Sequence, residues 1–152
     1  MNNLTHDIVD LSYPSKKVKE LILDTVGKPY GIFKKFKMKG VGSSRLIIAN
    51  YSEHFEAYFD DKLNINYASI ELRPKGILVH FYQGQSHFAW LIPHFRLNYY
   101  HTETHGVYSN GKFICFHKEF LKVRYDAFFK KMAVTQKEAN HIFNGGPNPG
   151  MW

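Results

Sequence analysis

Between Gly76 and Pro93, two apolar-rich arms flank Gln83-Gly84-Gln85-Ser86, and the pattern reads as a β-hairpin of fixed register. Gly84 at the first central position of a two-residue loop suits a type II′ turn, which sets Gln83 opposite Ser86 and pairs the residues below at constant index sum. One face then carries Ile77 with Ile92, Val79 with Trp90 and Phe81 with Phe88, the aromatic and β-branched pairs that stabilise sheets. The other carries Leu78 with Leu91, His80 with Ala89 and Tyr82 with His87, and is expected to be only partly wet. Asn110-Gly111, the preferred type I′ dipeptide, predicts a second hairpin pairing Tyr108 with Phe113 and Val107 with Ile114.

The remaining elements follow from spacing. Val18, Leu21, Ile22 and Val26 recur at helical intervals behind Ser15 and before Gly27 and Pro29, predicting a capped helix over 16–26. Residues 1–15 read as a poorly ordered start or an isolated strand at Asp7–Leu11. Residues 28–44 read as a strand entering a flexible Gly/Ser loop, and Arg45–Tyr51 as a buried strand. Glu53–Asp61 is ambiguous between helix and loop. Ile65–Leu72 alternates as a strand, with Ile65, Tyr67, Ser69 and Glu71 on one side and Ala68, Ile70 and Leu72 on the other, and Arg73–Gly76 turns the chain. After Pro93, Phe95, Leu97 and Tyr99 alternate with polar neighbours as a further strand. From Lys118 to Met132 the period changes, and Leu121, Tyr125, Phe128, Phe129 and Met132 draw one apolar stripe along a helix. Thr135 and Glu138 form a capping-box pattern that predicts a second short helix ending before Asn144. The fold class is therefore α+β: an antiparallel meander, forming a partial barrel or strongly bent sheet, covered by a C-terminal amphipathic helix with short extra helices near both ends.

From about Ile65 to Met132 this order resembles the pleckstrin-homology-like superfamily, in particular its small bacterial members. Arg73-Pro74-Lys75-Gly76-Ile77-Leu78-Val79 and Trp90-Leu91-Ile92-Pro93 look like the family's second sheet, and Lys118–Met132 like the helix that plugs its barrel. The resemblance implies that Gly31–Tyr51 supplies the early strands. It also implies that Lys37, Lys39 and Arg45 flank the first hairpin loop, where phosphoinositide-binding members hold phosphates. The family's Arg-x-Arg is incomplete here, since Leu46 and Ile47 follow Arg45. Many superfamily members are peptide or protein scaffolds, so the resemblance implies a binding module more than a named ligand.

Composition narrows the class. At 152 residues the chain is sized for one domain, taken as 16–144, with 145–152 a flexible tail. The aromatic fraction of 16% favours β-structure. The single cysteine, Cys115, excludes an intramolecular disulfide and a multi-thiolate metal site, and with no secretory or membrane-spanning pattern a cytoplasmic location is expected. A net charge of +7 makes an anionic partner, nucleic acid or an anionic lipid surface, physically reasonable.

That charge is most concentrated at Lys34, Lys35, Lys37, Lys39 and Arg45, interleaved with Tyr30, Phe33 and Phe36, where stacking and phosphate neutralisation can combine. The plainer account makes Phe33, Phe36 and Met38 the core side of a lysine-protected edge strand. Histidines 80, 87, 94 and 101 recur every seven residues. His80 and His87 share a face as a diagonal pair, and His101 and His105 bracket a polar loop, so His80, His87, His101 and His105 are the candidate metal ligands. No zinc spacing, phosphate loop or dinucleotide fingerprint is present, and no cofactor is expected. Cys115 alternates within an apolar strand and reads as an inert buried thiol. The leading expectation is a non-enzymatic binding or scaffolding domain that contacts an anionic ligand or a protein through its basic segment. The alternatives are a small metal-assisted or acid–base enzyme on the histidine-bearing face, and a nucleic-acid-binding module.

Overall fold

A computed structural model describes residues 7–59, 65–101, 105–117 and 122–145. The expected tail beyond 145, the loop 102–104, Asp60-Asp61 and the start of the last helix at Lys118 lie outside these residues. The strands are β1 (Ile8–Asp10), β2 (Leu46–Tyr51), β3 (Tyr67–Arg73), β4 (Gly76–Gln83), β5 (Ser86–Pro93), β6 (Asn98–His101), β7 (His105–Ser109) and β8 (Lys112–Phe116). The helices are α1 (Lys16–Val26), α2 (Ile32–Lys37) and α3 (Lys122–Gly145). All strands join one antiparallel sheet in the order β1-β5-β4-β3-β2-β8-β7-β6.

Both hairpins have the register their turns dictate. Gln83 faces Ser86, Phe81 faces Phe88, Val79 faces Trp90 and Ile77 faces Ile92. Gly84 has φ 62°, the positive value that a type II′ turn requires at its first central residue. Tyr108 faces Phe113 and Val107 faces Ile114. Asn110 and Gly111 both have positive φ, as a type I′ turn demands.

The two sheet faces are covered differently. On one, Ile77, Val79, Phe81, Trp90, Ile92, Phe116 and Val107 are buried together with Phe128, Phe129 and Met132 of α3. On the other, Leu78, Ala89 and Leu91 pack with Val9, Val26 and the apolar side of α1. The second face, expected to be partly wet, is thus dry beneath α1 and polar only beyond it. Ser15 caps α1 by accepting the Val18 N–H, and Gly27 ends it at φ 89°. The segment at Asp7–Leu11 is no isolated strand: β1 pairs with β5, Ile8 opposite Trp90.

Four further expectations are corrected. Residues 28–44 contain a helix, α2, in place of a strand, because Phe33 and Phe36 point to solvent and no alternation is buried. Gly40–Ser44 is therefore no hairpin loop; Val41 and Ser43 instead bond the edge of β3 through Leu72 N–H to Val41 O and Ser43 N–H to Ile70 O. The strand after Pro93 begins only at Asn98, since His94–Arg96 is a 3-10 turn. Finally, Thr135 is no N-cap. α3 runs unbroken through it, and its hydroxyl donates to the Lys131 carbonyl one turn back at 2.8 Å.

Candidate functional site

The basic segment forms a knuckle on the surface. α2 is a six-residue helix closed by a Schellman turn, in which Lys39 N–H donates to Phe36 O at 3.1 Å and Gly40 N–H to Lys35 O at 2.9 Å. The turn requires a left-handed residue, and Lys39 occupies that position at φ 60°, followed by Gly40 at φ 95°. Both feet are fixed. Tyr30 before the helix, and Met38 and Val41 after it, pack against the main core. From α3, the Lys131 ammonium donates to Gly40 O at 2.9 Å and lies 3.4 Å from Lys39 O.

What the knuckle presents is unusual for a folded surface. Ile32, Phe33 and Phe36 are 81%, 90% and 86% exposed, the highest values among the large apolar side chains described. At about 100° per residue these three fall within one arc of roughly 100°, bracketed by Lys35 and Lys37. Lys34, Lys35, Lys37 and Lys39 are all exposed. From Lys28 to Arg45 there is no carboxylate. Arg45 sits apart from the tip, stacked over the Tyr67 ring at 4.0 Å. The structure thus brings the four lysines onto one knuckle and leaves Arg45 at its base.

The histidine face is a hydrogen-bonded row. Glu71 of β3 accepts from Arg73 Nε at 2.6 Å and contacts His80 Nε2 at 2.9 Å, and His80 Nδ1 lies 2.9 Å from His87 Nε2. The carboxylate can only accept, so His80 donates through Nε2 and, when neutral, accepts at Nδ1 from His87. Burial pushes the Glu71 carboxyl up, but hydrogen bonds from His80 and Arg73, together with their charges, outweigh it and hold it at about 2. Burial lowers His87, and the neighbouring His80 lowers it further. Tyr82 stacks on the His87 ring, centroids 4.4 Å apart. The row ends in structural ties: Arg73 Nη1 donates to Gly27 O at 2.8 Å, and His87 N–H to Ser12 Oγ at 2.9 Å.

The four histidines named as ligands do not converge. His80 and His87 lie on the face beside α1, whereas His105 is buried on the opposite face against Phe129. His101 pairs with His105 in the ladder, and its side chain lies outside the described set. Among the described residues no group of three or more His, Cys, Asp or Glu side chains is placed to hold a metal ion. Cys115 is partly buried, and burial raises its thiol.

Sequence reasoning found the lysines but not the outward direction of Ile32, Phe33 and Phe36. The helical i, i+1, i+4 spacing of those three was the available signal. No helix among the described residues is long and apolar enough to cross a membrane. No family model, no curated protein and no solved structure matches the chain.

Proposed function

We propose that this chain is a non-enzymatic binding domain that meets an anionic partner through the knuckle of residues 28–45. The observation that carries this reading is the concentration of Lys34, Lys35, Lys37 and Lys39 on a rigidly footed helix, with no carboxylate between Lys28 and Arg45. Like charges held this close repel one another, and an opposing anion relieves that repulsion. The row of Glu71, His80 and His87 is read as a tie between β3, β4, β5 and the ends of α1 and β1, not as an active site.

Connectivity supports the pleckstrin-homology-like reading. The meander β2–β5 is followed by the meander β6–β8, whose last strand lies beside β2, and then by α3 on the core. On that reading the contact differs from the family's phosphate-holding loop, because the lysines precede the first meander strand and do not lie within its first hairpin.

The test is retention on heparin–agarose. The wild-type chain is expected to elute at high salt and the K34A/K35A/K37A variant near the void. Equal elution of the two would remove this reading.

A further inference from the structure

The lysines account for attraction to an anion but not for the three bulky apolar side chains standing among them. A soluble polyanion has no apolar interior to receive Ile32, and an aliphatic side chain is no stacking platform for bases. A second copy of this chain is an equally poor occupant. Docking knuckle to knuckle would oppose Lys34, Lys35 and Lys37 of each copy, with no acidic residue between Lys28 and Arg45 to offset them. An anionic bilayer satisfies both halves of the surface. Its acyl boundary accepts Ile32, Phe33 and Phe36, and its headgroups accept the lysines that bracket them.

We infer that α2 is an interfacial anchor that inserts Ile32, Phe33 and Phe36 into the headgroup–acyl boundary of an anionic membrane, with Lys34, Lys35, Lys37 and Lys39 on the phosphates. This rests on the reading of residues 28–45 as the contact surface and adds the nature of the partner. The geometry suits insertion. Ile32, Phe33 and Phe36 are the most exposed large apolar side chains described, Lys35 and Lys37 bracket their arc, and the Schellman turn and the Lys131 hydrogen bonds tie the segment to the fold. Six helical residues are far too few to span a bilayer, so the anchor lies in the interface. Neither hydrophobic nor electrostatic attraction suffices alone at this size, and the membrane affinity comes from their combination.

The experiment is co-sedimentation of the full chain with phosphatidylcholine vesicles, with and without phosphatidylserine, run beside heparin–agarose. The wild type is expected to sediment only with phosphatidylserine present. F33S/F36S, substituted at positions that make no core contacts, is expected to lose at least tenfold in vesicle partitioning yet keep its elution from heparin. K34A/K35A/K37A is expected to lose both. A Phe36→Trp variant is expected to blue-shift its added emission on vesicles and to be quenched by brominated lipid. Retention on heparin without vesicle binding, or F33S/F36S binding vesicles as tightly as wild type, would overturn the anchor while leaving the anionic contact standing. Absence of both activities would overturn both.

Discussion

Lys112 Nζ lies 3.2 Å from both carboxylate oxygens of Asp7, hydrogen-bonding Oδ2 and holding Oδ1 by charge alone. Asp7 directly precedes β1 and Lys112 opens β8, strands far apart in the sheet order, so the sheet curls until these ends meet without a backbone ladder between them. The Trp90 indole also donates to Asp7 Oδ2 at 3.3 Å, so one carboxylate holds a seam that hydrogen-bonded strands leave open.

Removing the cation there is therefore costly. Lys112 is 2% exposed, and Lys112→Ala would leave the largely buried Asp7 carboxylate without this cation. A loss of about 3 kcal/mol in urea unfolding is expected. The Asp7→Asn, Lys112→Met double variant is expected to recover part of it, because neither charge then remains.

Lys39 holds a left-handed conformation at φ 60° that costs a non-glycine residue roughly 1 kcal/mol. Lys39→Gly is expected to stabilise the fold by up to about 1 kcal/mol. The same change removes a cation from the knuckle, so elution from heparin should move to lower salt. Stability and binding moving in opposite directions would identify this strained position as one retained for contact.

Acid should weaken the fold in two stages with the same sign. His87 is held below the ordinary imidazole value of 6.5, so the unfolded chain takes its proton first, and stability falls as pH drops below that value. His94, lowered by burial, adds to this stage. Glu71 is lowered from 4.5 to about 2, so its contribution is complete above 4.5 and is lost as pH falls through that window. Urea midpoints measured against pH should show both declines. Glu71→Gln is expected to flatten the lower one and His87→Asn to reduce the upper one.

Thr135→Val separates a helix start from a helix interior. Loss of an N-cap costs about 1 kcal/mol, whereas Thr135 only doubles a carbonyl contact already made within the helix. A change below about 0.5 kcal/mol in thermal or urea unfolding is expected.

Those differences show why parts of this fold were legible and others were not. The hairpins at Gly84 and Asn110-Gly111 were readable because the turn chemistry is local, and it propagates register through every pair beneath it. Helix α1 was readable because a cap, a 3.6-residue stripe and a glycine stop agree. Helix α2 was not. It is too short to show a buried period, and its apolar residues obey no inside–outside rule because they face water. The capping pattern at Thr135 misled because Ser/Thr three residues before Glu also occurs inside helices, and only continuity of the backbone tells the two apart. The diagonal approach of His80 and His87 followed from register, while the third member, Glu71, depended on how β3 aligns with β4, with Ser69 opposite His80. At the knuckle, charge was visible in the sequence and direction was not.

The grip of Lys131 on the carbonyls of Lys39 and Gly40 has a mechanical consequence. It ties the tip to the long C-terminal helix, because tilting the tip would break its hydrogen bonds to an ammonium near the middle of α3. Load applied to Phe33 and Phe36 from outside is thereby transmitted to the layer of Phe128, Phe129 and Met132 that seals the core. Engagement at the surface should then register as slowed amide exchange in the middle of α3, some distance from the point of touch.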